Sequence, residues 1–131
     1  MAKDHYVIIG NGPAGNHAAL ALRQNSKEAQ ITILSDEKIP YYYKPKLTGY
    51  IAGKLARADL IVKPANFYEE NGIRVRLGQT VEKIDTDTKT LSLANGETIT
   101  YNGLVVAAGS RARVLPGMES YARHLKFVTS Y

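Results

Sequence analysis

Cysteine is missing from all 131 residues. That absence excludes disulfides, thiolate metal sites, iron–sulfur ligation and any thiol nucleophile. Long apolar runs are missing as well. The first one, Tyr6 to Ile9, is far too short for a membrane span or a signal-peptide core and runs straight into a glycine. No membrane partner is expected, and the expected location is cytoplasmic. Histidine is scarce: His5, His17 and His124 lie far apart with no metal-ligand spacing, so no metal site is expected. A concentrated charge of one sign is also lacking. The formal net charge is +5, but lysines and arginines are spread from Lys3 to Lys126 with no dense basic run. No nucleic-acid partner is expected from such a distribution. A bound diphosphate or an acidic protein surface suits the positive balance equally well.

What remains is an ordinary globular composition, 44% hydrophobic and 22% charged, at a length that suits one domain. Tyr6-Val-Ile-Ile9 is short, wholly apolar and largely β-branched, the pattern of a strand buried on both faces of a parallel sheet. Pro13 to Gln24 favours a helix, with proline tolerated in its first turn. Ile31-Thr-Ile-Leu34 reads as a second buried strand, completing a β-α-β unit. Ser35 to Tyr50 has no clean period and reads as a long loop, with a short helix from about Pro45.

Pro64 to Glu70 suggests a further helix, stopped by Asn71-Gly72. A strand is expected over Ile73–Leu77. Strands over Val81–Asp85, Thr90–Leu93 and Thr98–Tyr101, separated by turn chemistry that includes Asn95-Gly96, form an antiparallel meander. Leu104-Val-Val-Ala-Ala108 is a last buried strand ending at Gly109. Beyond Pro116-Gly117 the signal fades, with the start of another strand suggested over His124 to Val128. The parts imply an α/β domain: a central parallel sheet, helices on its faces, and an inserted antiparallel β-meander.

Gly10-Asn-Gly12-Pro13-Ala14-Gly15 has GxGxxG spacing. The spacing alone is weak evidence, but here a buried strand precedes it, a helix follows and a second strand lies behind. Gly10 permits the sharp turn, Gly12 lets a diphosphate approach the backbone, and Gly15 lets helix and strand pack closely. The amides and dipole of the helix start then hold negative phosphates. Asp36 and Glu37 follow the second strand, where an acid accepts hydrogen bonds from ribose hydroxyls; Asp36 follows more closely and is the stronger candidate. The alternative is a structural βαβ turn with the acids as loop residues.

A glycine fingerprint does not separate FAD from NAD. Tyr6-Val-Ile-Ile-Gly-Asn-Gly-Pro-Ala-Gly15, however, resembles the FAD site of the pyridine nucleotide–disulfide oxidoreductase superfamily. Pro40-Tyr-Tyr-Tyr-Lys-Pro-Lys-Leu-Thr48 is similar to the Tyr-x-Arg/Lys-Pro-x-Leu-Ser segment of its rubredoxin, ferredoxin and nitrite reductases. Gly78-Gln-Thr80-Val81 resembles the strand whose backbone meets the adenine, and Leu104-Val-Val-Ala107-Ala108-Gly109 resembles the segment that returns the chain to FAD. Ala108 departs from the usual Thr, and Gly49 from a lysine that ferredoxin-reductase relatives place near the flavin.

The resemblance implies a three-layer, Rossmann-like FAD/NAD(P)-binding fold. Without cysteine, it points to reductases that pass electrons from NAD(P)H through FAD to a partner such as an acidic electron-carrier protein. It implies a cationic Lys44 beside the FAD diphosphate or flavin edge. Lys46 reads as solvated surface, His17 as helix surface, and Tyr41, Tyr42 and Tyr43 as partly buried side chains with wet hydroxyls. Arg111 and Arg113 follow the last strand toward the cofactor mouth.

By the same resemblance, residues 1–116 are the FAD-binding part, and 117–131 are a linker and the start of an NAD(P)H-binding domain. No second GxGxxG is present. Little NAD(P)H oxidation is therefore expected of this polypeptide alone, since hydride transfer needs both rings held in contact. A non-catalytic module that binds FAD, ADP or NAD is the alternative.

Overall fold

The computed structural model describes residues 3–124. Its core is a four-stranded parallel sheet of β1 (His5–Ile9), β2 (Gln30–Leu34), β3 (Ile73–Arg76) and β7 (Gly103–Val106), in the order β3-β2-β1-β7. The apolar runs lie where β-branched sequence and double-sided burial predict. β1 is central, with Ile8 opposite Ile33 of β2 and Val105 of β7. Because side chains alternate along a strand, this row faces one side and Val7 with Leu104 the other.

The first side is covered by α1 (Pro13–Asn25) and α3 (Ala65–Glu70), whose Ala19 and Tyr68 pack with Ile8, Ile31, Ile33 and Ile73. The second side is covered by the antiparallel meander β4 (Val81–Asp85), β5 (Thr90–Leu93) and β6 (Thr98–Thr100). Leu91, Leu93, Ile99 and Tyr101 bury themselves there against Val7 and Leu34. Each such fully buried aliphatic side chain contributes about 1.5–3 kcal/mol. The three layers are thus helix, sheet and meander. The structure puts α1 and α3 on one face, because the meander's apolar side already shields the other.

Two long-range ties lock the layers. His5 joins β1 to the meander and to β2, with Nδ1 donating to the Thr100 carbonyl and Nε2 bonded to the Thr32 hydroxyl, both at 2.9 Å. Arg76, at the end of β3, grips Glu97 beside the β5–β6 turn with two bonds of 2.7 and 2.6 Å.

The long segment after β2 has a small core of its own. A 3-10 turn (Lys44–Lys46), α2 (Leu47–Ile51) and a second 3-10 turn (Arg57–Leu60) bury Tyr42, Leu47 and Leu60 together. The sequence showed no period here because short turns, and the isolated bridge between Tyr42 and Ile61, generate none. The last strand is shorter than expected: β7 ends at Val106, although the Ala107 N–H still donates to the Ile9 carbonyl of β1 at 2.8 Å, and Gly109 beyond it takes φ +69°. A final 3-10 turn covers Glu119–His124, so His124 closes a turn, and the expected strand beyond it lies outside the described residues. Among the described residues no helix is long and apolar enough to cross a membrane.

Candidate functional site

At the carboxyl ends of β1, β2 and β7 the main chain opens into a cavity of ≈ 460 Å³. This is the position at which open α/β sheets place ligands. Three segments form its wall: Gly10 to Ala14 after β1, Ser35 to Glu37 after β2, and Ala107 to Ser110 after β7. Ile39, Pro40, Tyr42 and Lys44 close one side.

The glycines explain how the three segments meet. Gly10 takes φ +112°, which L side chains rarely adopt, and a Cβ there would collide with the Ala107 carbonyl. Its N–H donates to the Leu34 carbonyl at 2.8 Å, tying the turn to the end of β2. Gly15 is buried behind the cavity rather than lining it; a Cβ there would strike the Gly10 carbonyl, so this glycine sets the packing of helix on strand. Above Gly12 the space is open: a methyl group added there would meet nothing within 4 Å.

Gly12 is the N-cap of α1 and offers no side-chain cap; Pro13 occupies the first helical position, and the first turn holds no acid. The leading N–H groups of a helix have no intrahelical partners, and the dipole makes this end positive. The end of α1 therefore suits an anion.

The expected acids stand at the cavity but differ in setting. Glu37 is half-buried: it accepts the Tyr42 hydroxyl at 2.8 Å, and Lys44 Nζ lies 4.0 Å from its other oxygen. Asp36 is exposed, with the Arg111 guanidinium 3.7 Å away. Arg111 thus reaches the cavity mouth from beyond β7, as its position after the last strand suggested. The expectation of wet tyrosine hydroxyls fails at Tyr42, which is 6% exposed and bonded to Glu37. Its ring is needed by the small core of the 42–60 segment. Tyr43 is exposed, and Lys46 lies on the surface, donating to the Asp59 carbonyl.

Thr80 and Val81 lie outside the cavity wall. Thr80 accepts the Ala94 N–H, Val81 pairs with Leu93 in the meander, and the preceding Gly78 and Gln79 N–H groups reach the wall, at the Glu37 (3.0 Å) and Ser35 (2.7 Å) carbonyls.

The sequence did not point to Asn11, Asn16 and Tyr68. The Tyr68 hydroxyl donates to Asn16 Oδ1 at 2.6 Å, and Asn16 Nδ2 donates to the Gly12 carbonyl and to Asn11 Oδ1 at 2.9 and 3.0 Å. Burial, with a smaller effect of Tyr41, pushes the Tyr68 phenol up to about 12. The available signal was a polar residue, Asn16, one turn before the buried Ala19 of α1.

Comparison with known proteins agrees with this geometry. Rhodocoxin reductase of Rhodococcus erythropolis is 35% identical over 111 residues, covering 84% of this chain and 26% of that protein. NADH-rubredoxin oxidoreductase of Clostridium acetobutylicum is 37% identical over 112 residues, covering 86% and 29%. Its solved structure superposes with a TM-score of 0.79 at 34% identity, over 87% of this chain and 30% of that one. The reductase in the covalent putidaredoxin reductase–putidaredoxin complex gives 0.82 at 32% identity, over 91% and 29%. The chain spans under a third of the length of these relatives. Residues 4–131 match the family described as pyridine nucleotide-disulphide oxidoreductase, and the chain belongs to that family.

Proposed function

We propose that this chain holds FAD and forms the FAD-binding part of an NAD(P)H-dependent reductase that passes electrons to a small redox protein. The observation that carries the reading is the convergence of an uncapped helix start, the open space above Gly12 and two acids on one cavity. Gly10, Gly12, Pro13 and Ala14 would receive the diphosphate, with Gly15 fixing the helix behind them. Asp36 and Glu37 would accept ribose hydroxyls. Ala107, Ala108 and Gly109 would border the middle of the cofactor, and Thr80 and Val81 its adenine through the segment anchored at Ser35. Lys44, held near Glu37, would place a cation beside the diphosphate or the flavin edge.

Bound FAD supplies hydride acceptance from a nicotinamide and electron release to a carrier. The chain's own contribution is to bind, to orient and to offset phosphate charge. The rhodocoxin, rubredoxin and putidaredoxin reductases it resembles support a carrier protein as acceptor, and the net charge of +5 favours an acidic one. Residues 1–116 would form the FAD-binding unit, with 117–131 leading on toward nicotinamide binding.

The test is titration of the purified protein with FAD and with ADP, followed by flavin fluorescence and by calorimetry. Saturable one-to-one binding of both is expected, and failure of both to bind would overturn the proposal.

A further inference from the structure

One buried amide grips the glycine loop on both sides of a single peptide bond. Asn16, in the first turn of α1, is 6% exposed and sends its two amide hydrogens to different residues. One goes to the Gly12 carbonyl at 2.9 Å and the other to Asn11 Oδ1 at 3.0 Å. The Gly12 carbonyl also accepts the Asn16 main-chain N–H at 3.0 Å, the ordinary first bond of a helix. The side-chain bonds are additional to that one, and together they bracket the Asn11–Gly12 peptide. Asn16 is itself held from the far side, where the Tyr68 hydroxyl donates to its Oδ1 at 2.6 Å. With the oxygen fixed by Tyr68, both hydrogens of the amide are committed to the loop.

Side-chain packing does not hold this peptide: Gly12 has no side chain, and a Cβ there would meet nothing within 4 Å. Glycine also has more conformations to lose than any other residue. Main-chain N–H groups serve an anion best when they are fixed before it arrives, because ordering them on binding subtracts from affinity. Asn11 Nδ2 is buried without a partner. The Asn11 side chain is thus kept with its oxygen on Asn16 although this leaves its own donor unsatisfied, which an arrangement serving stability alone would avoid. We propose that Asn16 is a positioning residue for the diphosphate, anchored by Tyr68: it touches no ligand, and it sets the orientation of the Asn11–Gly12 peptide on the cavity wall. This rests on the reading of the cavity as a dinucleotide site and adds to it a support that reaches from α3 to the glycine loop.

The test separates support of the loop from support of the fold. Asn16→Leu roughly keeps the shape of the buried side chain and removes both loop bonds. Tyr68→Phe removes only the anchor, and the double variant makes the buried pair apolar. Removing both partners of a buried hydrogen bond costs less than removing one. The wild-type chain and the three variants are titrated with ADP and with adenosine, followed by NMR, and their unliganded urea midpoints are measured. ADP affinity is expected to fall about tenfold in Asn16→Leu and about threefold in Tyr68→Phe, with adenosine affinity unchanged. In the double variant the midpoint should rise above that of Asn16→Leu, while ADP affinity stays as low as in that single variant. ADP affinity that recovers together with the midpoint would overturn the proposal. So would an equal fall for ADP and adenosine, or unchanged ADP affinity in Asn16→Leu. Should the Asn16 variants not fold, Tyr68→Phe decides alone by its ADP affinity relative to adenosine. A wild-type chain that binds no ADP would instead overturn the dinucleotide reading itself.

Discussion

The Tyr68 hydroxyl lies 2.6 Å from Asn16 Oδ1, joining α3 to the first turn of α1 across the buried side of the sheet. Neither side chain is exposed to solvent, and the bond bridges 52 positions of sequence. Replacing Tyr68 with Phe leaves the Asn16 oxygen without this donor. We expect a loss of about 1–3 kcal/mol, read as a lower urea midpoint with an unchanged slope. An unchanged midpoint would show that the bond contributes nothing net.

The same phenol sets an alkaline limit. Its folded value is raised to about 12 from an ordinary 10.0, so the folded state keeps this proton when the unfolded state has already released it. Stability from Tyr68 is therefore complete below pH 10 and declines as pH rises from 10 toward 12. Denaturant midpoints measured across that window should fall more steeply in the wild-type protein than in Tyr68→Phe. Parallel curves would contradict the assignment.

The two glycines flanking Asn11 should respond in opposite ways. At Gly10 the φ of +112° and the Ala107 carbonyl leave no room for a methyl group, so Gly10→Ala should fail to fold or lose several kcal/mol. At Gly12 the backbone is extended at φ −92° and a methyl would meet nothing, so Gly12→Ala should fold with a nearly unchanged unfolding temperature. The added methyl would stand where the diphosphate approaches, and ADP affinity should drop about tenfold or more, which is ~1.4 kcal/mol. Gly12→Ala with full ADP affinity would place the phosphates elsewhere.

These contrasts explain what was legible beforehand. The jobs of Gly10 and Gly15 are local backbone geometry, and apolar runs mark β1, β2 and the meander directly. Asn16 and Tyr68 meet only through the tertiary fold, and a lone polar residue in an alanine-rich helix carries no period. Tyr42 was misread for a similar reason: its burial depends on Leu47 and Leu60, brought to it by turns too short to leave a pattern. The end of β7 was overrun because Ala107 and Ala108 are as apolar as the strand before them, yet they lie beyond its end and line the cavity.

Acid should loosen the meander through one pair. Hydrogen bonds from the Arg76 guanidinium hold Glu97 below its ordinary value of 4.5, with the charge attraction adding to them. A depressed carboxylate stabilises the fold fully above its unfolded value and loses that contribution as pH falls through the folded one. Glu97→Gln should therefore lower stability slightly near neutrality and flatten the profile below pH 4.5, the two proteins converging in acid; the difference is small because the pair is solvent-exposed. Identical acid profiles for the two proteins would remove Glu97 from the account.

Arg23 makes a stronger claim on stability. Its guanidinium donates to five main-chain carbonyls, those of Ser26, Lys27, Ala29, Asn71 and Gly72, at 2.6 to 3.1 Å. Three of these close the turn after α1 and two close the end of α3, so one side chain clamps the exits of both helices on the same face of the sheet. Carbonyls at helix ends lack intrahelical donors, and a planar cation satisfies several at once in a way that an ammonium does not. Arg23→Lys should consequently cost nearly as much as Arg23→Met, about 2–4 kcal/mol each by urea denaturation, even though the charge is kept. Full stability in the lysine variant would mean that charge near the helix ends is what matters, and that the fork of hydrogen bonds is incidental.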